Sequence, residues 1–197
     1  MRTPRTPPWH GLLVALVLLA ALPARATVPA WWSALGVRDL GGAPLKPPGR
    51  WFVVVFIGQD CPVSNASIPV LNKLASDFGS RGFSFIGAYV DPTADITALR
   101  THASDYALGF SVADDRSHAL TRAAGATYTP EVAVFNAAGS KLYLGRIDDK
   151  VGDNGVSRPA AAHEDLHDVL SAVASGAKGP FEGKPGYGCA IPEAVHP

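Results

Sequence analysis

The chain is poor in cysteine: Cys61 and Cys189 are the only two in 197 residues. So few exclude a small disulfide-stapled scaffold and leave room for one bridge or one redox couple. Charged residues are scarce as well, at 17%, and balanced, with 17 basic and 17 acidic side chains. No basic run stands out, so the chain lacks the electrostatic footprint of a nucleic-acid binder. Internal repeats and low-complexity blocks are absent. A hydrophobic content of 47% excludes a disordered chain. Beyond the first residues, no apolar run is long enough to span a bilayer.

The one long apolar run lies at the start. Arg2, Arg5 and His10 precede an uncharged stretch from Gly11 to Leu22, closed by Pro23. Ala24-Arg25-Ala26 then supplies the small-x-small pattern of a signal-peptidase site. The run is shorter than the ~20 residues a spanning helix needs. It predicts a cleaved signal peptide over 1–26 and an exported mature chain, periplasmic or secreted, without stable membrane insertion. The rest reads as one domain over 27–178, with a Gly/Pro-rich tail over 179–197 that carries Cys189.

Cys61 follows the β-branched and aromatic run Trp51–Ile57 and a Gly58-Gln59-Asp60 step. Pro62-Val63-Ser64 and a segment of helical periodicity come after it. A thiol at a strand-to-helix junction sits where the first helical N–H groups lack partners and favour an anion. Such placement lowers a cysteine pKa, which makes Cys61 a candidate reactive thiolate. Asp60 beside it would act the other way if close in space.

Strands and helices alternate along the chain. Val37–Leu40 reads as a short strand and Trp51–Ile57 as a strand buried on both faces. Ser64–Phe78 is a helix on the stripe Ile68, Leu71, Ala75 and Phe78, with Pro69 expected to kink it. Phe83–Val90 is a second buried strand. Asp95–Leu108 is a helix, Phe110–Ala113 a short strand and Ser117–Ala124 a short helix. Glu131–Phe135 and Lys141–Leu144 form a β-hairpin across Asn136–Gly139. Ile147–Arg158 is a polar loop, and Ala161–Ser175 a last helix with Leu166, Val169, Leu170 and Val173 inward. The βαβ units imply parallel strands, and the hairpin adds an antiparallel edge. The fold class is α/β, a three-layer sandwich with a mixed sheet. Trp31, Trp32 and Trp51 read as packing residues.

These features together resemble the thioredoxin-like superfamily in its redoxin, or AhpC/TSA, branch. The match runs over roughly Val37 to Ser175. A buried strand ends in a cysteine that opens a helix, and Pro69 lies where many thioredoxins have a kinking proline. Thr129-Pro130 stands before the hairpin, where the family places a cis-proline beside the active thiol. Cys61–Ser64, Thr129–Glu131, Gly145–Asp149 and Gly188–Ile191 resemble, in order and spacing, motifs of secreted bacterial redoxins. The resemblance implies thiol chemistry at Cys61 and a substrate edge at Thr129 and Pro130. It also implies a partner or resolving role for Cys189.

Departures from the family narrow this. Ser64 occupies the second cysteine position of the thioredoxin motif, so no dithiol lies within it. Val54 and Gly58 stand where peroxiredoxins have a proline and a threonine, and Thr129 where their substrate arginine is found. Asn65 stands where Sco-type copper chaperones have their second cysteine.

Three readings remain open at this point. The first is an exported thiol–disulfide oxidoreductase with Cys61 as its single active-site cysteine, resolved by Cys189 or by an external thiol. Its partners would be protein or small-molecule thiols and disulfides, with an external reductant. The second is a thiol peroxidase sharing the first step. The third is a non-enzymatic binding or metal-chaperone module in which Cys61 and Cys189 are simply bridged; such a staple would contribute on the order of 4–5 kcal/mol by chain entropy. No cofactor is called for. Arg146, Asp148 and Asp149 read as a solvated turn ahead of a metal site, and His163 and His167 as a solvated helix face lacking a third ligand.

Overall fold

The computed structural model describes residues 28–152 and 155–194. The predicted signal peptide over 1–26 lies outside them. Among the described residues no helix is long and apolar enough to cross a membrane.

The described chain runs α1 (Ala30–Ala34), β1 (Arg38–Asp39), β2 (Trp51–Ile57), α2 (Pro62–Gly79), β3 (Phe83–Tyr89), α3 (Ile96–Asp105) and β4 (Ser111–Asp114). It continues with α4 (Ala119–Ala124), β5 (Tyr128–Thr129), β6 (Glu131–Asn136), β7 (Lys141–Gly145), α5 (Asp165–Ala174) and β8 (Cys189–Ala190). Six strands form one mixed sheet in the order β1-β4-β3-β2-β6-β7. β2 and β3 pair in parallel, as do β3 and β4. β6 runs antiparallel to both β2 and β7, so the hairpin closes one edge as the sequence predicts.

The central strand explains the layering. Successive side chains of a strand point to opposite faces. Val53, Val55 and Ile57 enter one core with Leu71, Leu74 and Phe78 of α2, Leu99 of α3 and Leu166 and Leu170 of α5. Phe52, Val54 and Phe56 enter the other with Trp32 of α1 and Leu120 and Ala124 of α4. A strand clothed on both sides reads as a continuous apolar run, which is what Trp51–Ile57 shows. Helices on both faces of a mixed sheet give the thioredoxin-like α/β sandwich expected from the sequence.

Several boundaries differ from the sequence reading. α5 begins at Asp165 rather than Ala161. The preceding segment is instead tied down by Asp149, whose carboxylate accepts from the N–H groups of Ala162 and His163 at 2.7 and 2.9 Å. His163 is therefore off the helix, and the four-residue spacing to His167 does not place the two on one helical face. α1 has no counterpart in the sequence reading. It is a single turn held by Trp31 and Trp32, which pack on Phe52 and Phe135. Pro69 lies inside α2, which continues past it to Gly79.

Candidate active site

Cys61 is the N-cap residue of α2, at the C-terminal end of the central strand. Its φ of −86° and ψ of 111° are extended, and Pro62 occupies the first helical position. That sequence suits a helix start, because proline fixes the helical φ and has no N–H to leave unpaired. The turn before it is closed by the Cys61 N–H donating to the Gly58 carbonyl at 3.1 Å. Asn65 braces the same turn, its side-chain amide donating to the Gln59 carbonyl at 2.9 Å.

Thr129 faces this thiol, and Pro130 follows it. The Thr129–Pro130 peptide bond is cis. The Cys61 thiol, 3% exposed, donates to the Thr129 carbonyl at 3.3 Å. Pro130 has no N–H, so β5 and β6 are separated there: β6 joins the main sheet, while β5 pairs elsewhere. Its partner is β8 of the tail, with Thr129 opposite Cys189 and Tyr128 opposite Ala190.

That pairing brings the two cysteines together. Both are free thiols, Cys61 buried and Cys189 exposed. They line one cleft of about 170 Å³ with Gln59, Asp60, Val90 and Pro192. Their acidities move apart. Burial pushes the Cys61 thiol up, but hydrogen bonds from the Cys189 thiol, Thr129 and the backbone of Ser64 and Cys189 outweigh it, and its pKa falls below the ordinary thiol value. Cys189 is pushed up to about 11, by burial and then by its hydrogen bond and charge interaction with Cys61. Cys61 is thus the more acidic of the two neighbouring thiols. The adjacent Asp60 is not among the groups acting on Cys61; its charge acts on His102. Ser64 contributes through its backbone, and its hydroxyl, though buried, has no hydrogen-bond partner.

Gly58 shows why the peroxiredoxin threonine has no place here. A Cβ on Gly58 would lie 2.9 Å from the Thr129 hydroxyl and 3.1 Å from the Cys61 Cβ. Gly58→Ala is expected to cost about 1–3 kcal/mol in stability, as overpacking does. It should also push the Thr129 hydroxyl off the Cys61 sulfur, removing one of the groups that lower its pKa. Thermal denaturation and a thiol titration check the two effects: Cys61 should titrate higher in the variant.

The remaining sequence candidates are structural ties. Arg146 pairs with Asp165 at 2.7 Å and so fixes the start of α5. Asp149 pairs with Arg158 at 2.6 Å besides capping the 162–163 backbone. Asp148 accepts from the Lys150 N–H at 2.9 Å. His167 lies near Glu164 and Asp168 and packs its ring edge-on against Phe78. Among the described residues no group of three or more His, Cys, Asp or Glu is arranged to hold a metal.

Sequence reasoning missed the polar cluster behind the Cys61 turn. His102 of α3 bonds Asn65 at 2.9 Å through one ring nitrogen and the Tyr89 hydroxyl at 2.7 Å through the other. Asn65 also donates to the Tyr106 hydroxyl at 3.2 Å. Neither Asn65 nor His102 belongs to a spacing that marks them; only the fold brings α2, α3 and β3 to one point.

The AhpC/TSA family model matches residues 45–141. No curated protein matches the chain. Among solved structures, the chain is similar to a hypothetical protein from Sinorhizobium meliloti 1021, at 24% identity and a TM-score of 0.67, over 79% of this chain and 88% of that one. An uncharacterized conserved protein from Geobacillus kaustophilus is similar at 23% identity and a TM-score of 0.68, over 79% and 86%. A secreted Mycobacterium tuberculosis disulfide oxidoreductase homologous to E. coli DsbE is similar at 23% identity and a TM-score of 0.51, over 71% and 98%. The structural likenesses speak for the fold and the family match for its central segment. The fold is thus thioredoxin-like, with the AhpC/TSA match carried by residues 45–141 and Cys61 at the head of α2 within it.

Proposed function

We propose that this protein is an exported thiol–disulfide oxidoreductase in which Cys61 attacks and Cys189 resolves. The observation that carries the reading is the pair of adjacent thiols with oppositely displaced acidities. The Cys61 thiolate attacks one sulfur of a substrate disulfide. A mixed disulfide forms, and the other substrate sulfur leaves as a thiolate. The Cys189 thiol then loses its proton and attacks the Cys61 sulfur. The second substrate thiolate is expelled, and a Cys61–Cys189 disulfide remains. Substrate is reduced by two electrons and the cysteine pair oxidised by two; an external thiol reductant restores it. Run backwards, the same steps oxidise a dithiol substrate. The similarity to a secreted disulfide oxidoreductase supports both the chemistry and export, as does the Gly11–Leu22 run with Ala24-Arg25-Ala26.

Peroxide is the second electrophile, favoured by the AhpC/TSA match. It would convert Cys61 to a sulfenic acid, which Cys189 would condense to the same disulfide with loss of water. Disulfide exchange ranks first, because Gly58 stands too close to Thr129 and Cys61 to be replaced by a threonine donor.

Differential alkylation tests the reading. Exposure alone would make Cys189 the faster thiol. Acidity reverses the order, since only the thiolate reacts. With iodoacetamide near neutral pH, peptide mapping of the reduced protein should find Cys61 modified first. The Cys61 rate should fall about tenfold per pH unit only below a midpoint lower than the ordinary thiol value. Cys189 should gain reactivity toward a midpoint near 11. Preferential labelling of Cys189, or a pair that stays oxidised under thiol reductant, would favour a purely structural bridge.

A further inference from the structure

The tail does more than deliver a thiol: it is seated as a strand. β8 pairs antiparallel with β5, and the pairing continues as the Ile191 N–H donates to the Thr127 carbonyl at 3.0 Å. Gly188 lies so close to the Thr129 carbonyl that any Cβ there would collide with it. Ile191, two residues past Cys189, packs on the core cluster that contains Phe56 and Val90. Each feature concerns an extended backbone with a cysteine opposite Thr129, not a free thiol.

A substrate cysteine that reaches Cys61 must come to the same point. β5 has one free edge there, and the tail covers it. Two strands cannot hold that register together. The paired stretch is short, both β8 residues are exposed, and the tail is rich in glycine and proline, so its release exposes little apolar surface. We infer that β8 is an internal stand-in for the substrate. The site takes an extended polypeptide segment with glycine just before the reacting cysteine and an aliphatic residue two after it, and the tail must leave the β5 edge to admit it. Resolution follows when the tail returns and its thiol displaces the substrate from Cys61. This rests on the oxidoreductase reading above and adds to it the class of substrate and the order of events.

The test isolates the first attack. In full-length Cys189→Ser protein no resolution occurs, and the tail still docks. Adding Gly188→Val or, separately, Ile191→Asp removes docking from either side of the pair. Two electrophiles are compared by stopped flow: the peptide Gly-Tyr-Gly-Cys-Ala-Ile-Pro as a nitrothiobenzoate mixed disulfide, and glutathione disulfide. Undocking also withdraws the residue-189 hydrogen bonds that lower the Cys61 pKa, which slows both electrophiles alike; relative to glutathione disulfide, the peptide should therefore gain roughly tenfold or more with the undocked variants, since a larger fraction of molecules offers the free edge. Glutathione disulfide, which has no strand to pair, should gain less. The peptide with valine in place of the glycine before cysteine should lose most of the gain. Equal changes for both electrophiles would reduce the tail to a simple cover and overturn the inference, as would equal rates for the peptide's glycine and valine forms. Those outcomes leave the oxidoreductase reading intact. A Cys61 as slow as an unactivated thiol toward every disulfide, docked or undocked, would remove that reading and this inference with it.

Discussion

Cys61→Ser is expected to bring disulfide exchange down by about 10³-fold or more, the order of loss seen when a catalytic nucleophile is removed. Serine keeps the size of the side chain and the position at the head of α2. It does not keep the charge. At neutral pH a hydroxyl is not ionised, and none of the groups that act on the Cys61 sulfur is a base that could activate it. The groups around the sulfur are a thiol, a hydroxyl and backbone groups. They favour the thiolate over the thiol and do not take up a proton. The variant should retain its fold, because Cys61 makes its side-chain hydrogen bond to the Thr129 carbonyl, which a serine hydroxyl can also reach. Turnover of a disulfide reporter, with circular dichroism as the control for folding, checks this. A wild-type rate equal to that of Cys61→Ser would show that the measured reduction does not pass through this residue.

How much of this site could be read from the sequence depends on how local each signal is. The position of Cys61 at the head of a helix was legible because its determinants are neighbours in the chain: a buried strand, a glycine step, the cysteine, a proline and a helix. The strand Trp51–Ile57 announced its two-sided burial for the same reason. Thr129 and Pro130 were legible only through their order relative to Cys61 in a known fold, since nothing local marks them as facing a thiol. The resemblance paired Cys189 with Cys61, but its seat as a strand on β5 was not legible. Two residues of strand in a Gly/Pro-rich tail have no periodicity, and their pairing with Tyr128 and Thr129 is a long-range fact. The start of α5 was misread because Ala161-Ala162 are good helix formers. In the structure the Asp149 carboxylate takes up the N–H groups of Ala162 and His163 and holds that segment as a loop. A tertiary hydrogen bond thus overrides a local propensity. The Cys61–Cys189 acidity split lies further still from the sequence, for it needs both sulfurs in place.

In the proposed mechanism Cys189 has two separable jobs, and two substitutions tell them apart. Cys189→Ser should leave the first attack within a few-fold of wild type and lower multiple turnover by about 10²-fold or more, because the resolving sulfur is gone. Mixed disulfides should accumulate at Cys61 and be visible as mass adducts. Serine can still donate a hydrogen bond to the Cys61 sulfur. Cys189→Ala cannot. It should therefore also raise the Cys61 pKa, by removal of the strongest of the groups that lower it. The sign follows directly: a higher pKa means less thiolate at neutral pH, so the first attack slows in Cys189→Ala and recovers as the pH is raised. The rate in Cys189→Ser should be nearly unchanged over the same range. Stopped-flow rates across pH for the three proteins decide it. If Cys189→Ser turned over as wild type does with an external dithiol, resolution would belong to that thiol and Cys189 would keep only its electrostatic part. If the alanine variant titrated at the wild-type position, the hydrogen bond between the two sulfurs would not be what makes Cys61 acidic, and the burden would fall on Thr129 and the Ser64 backbone.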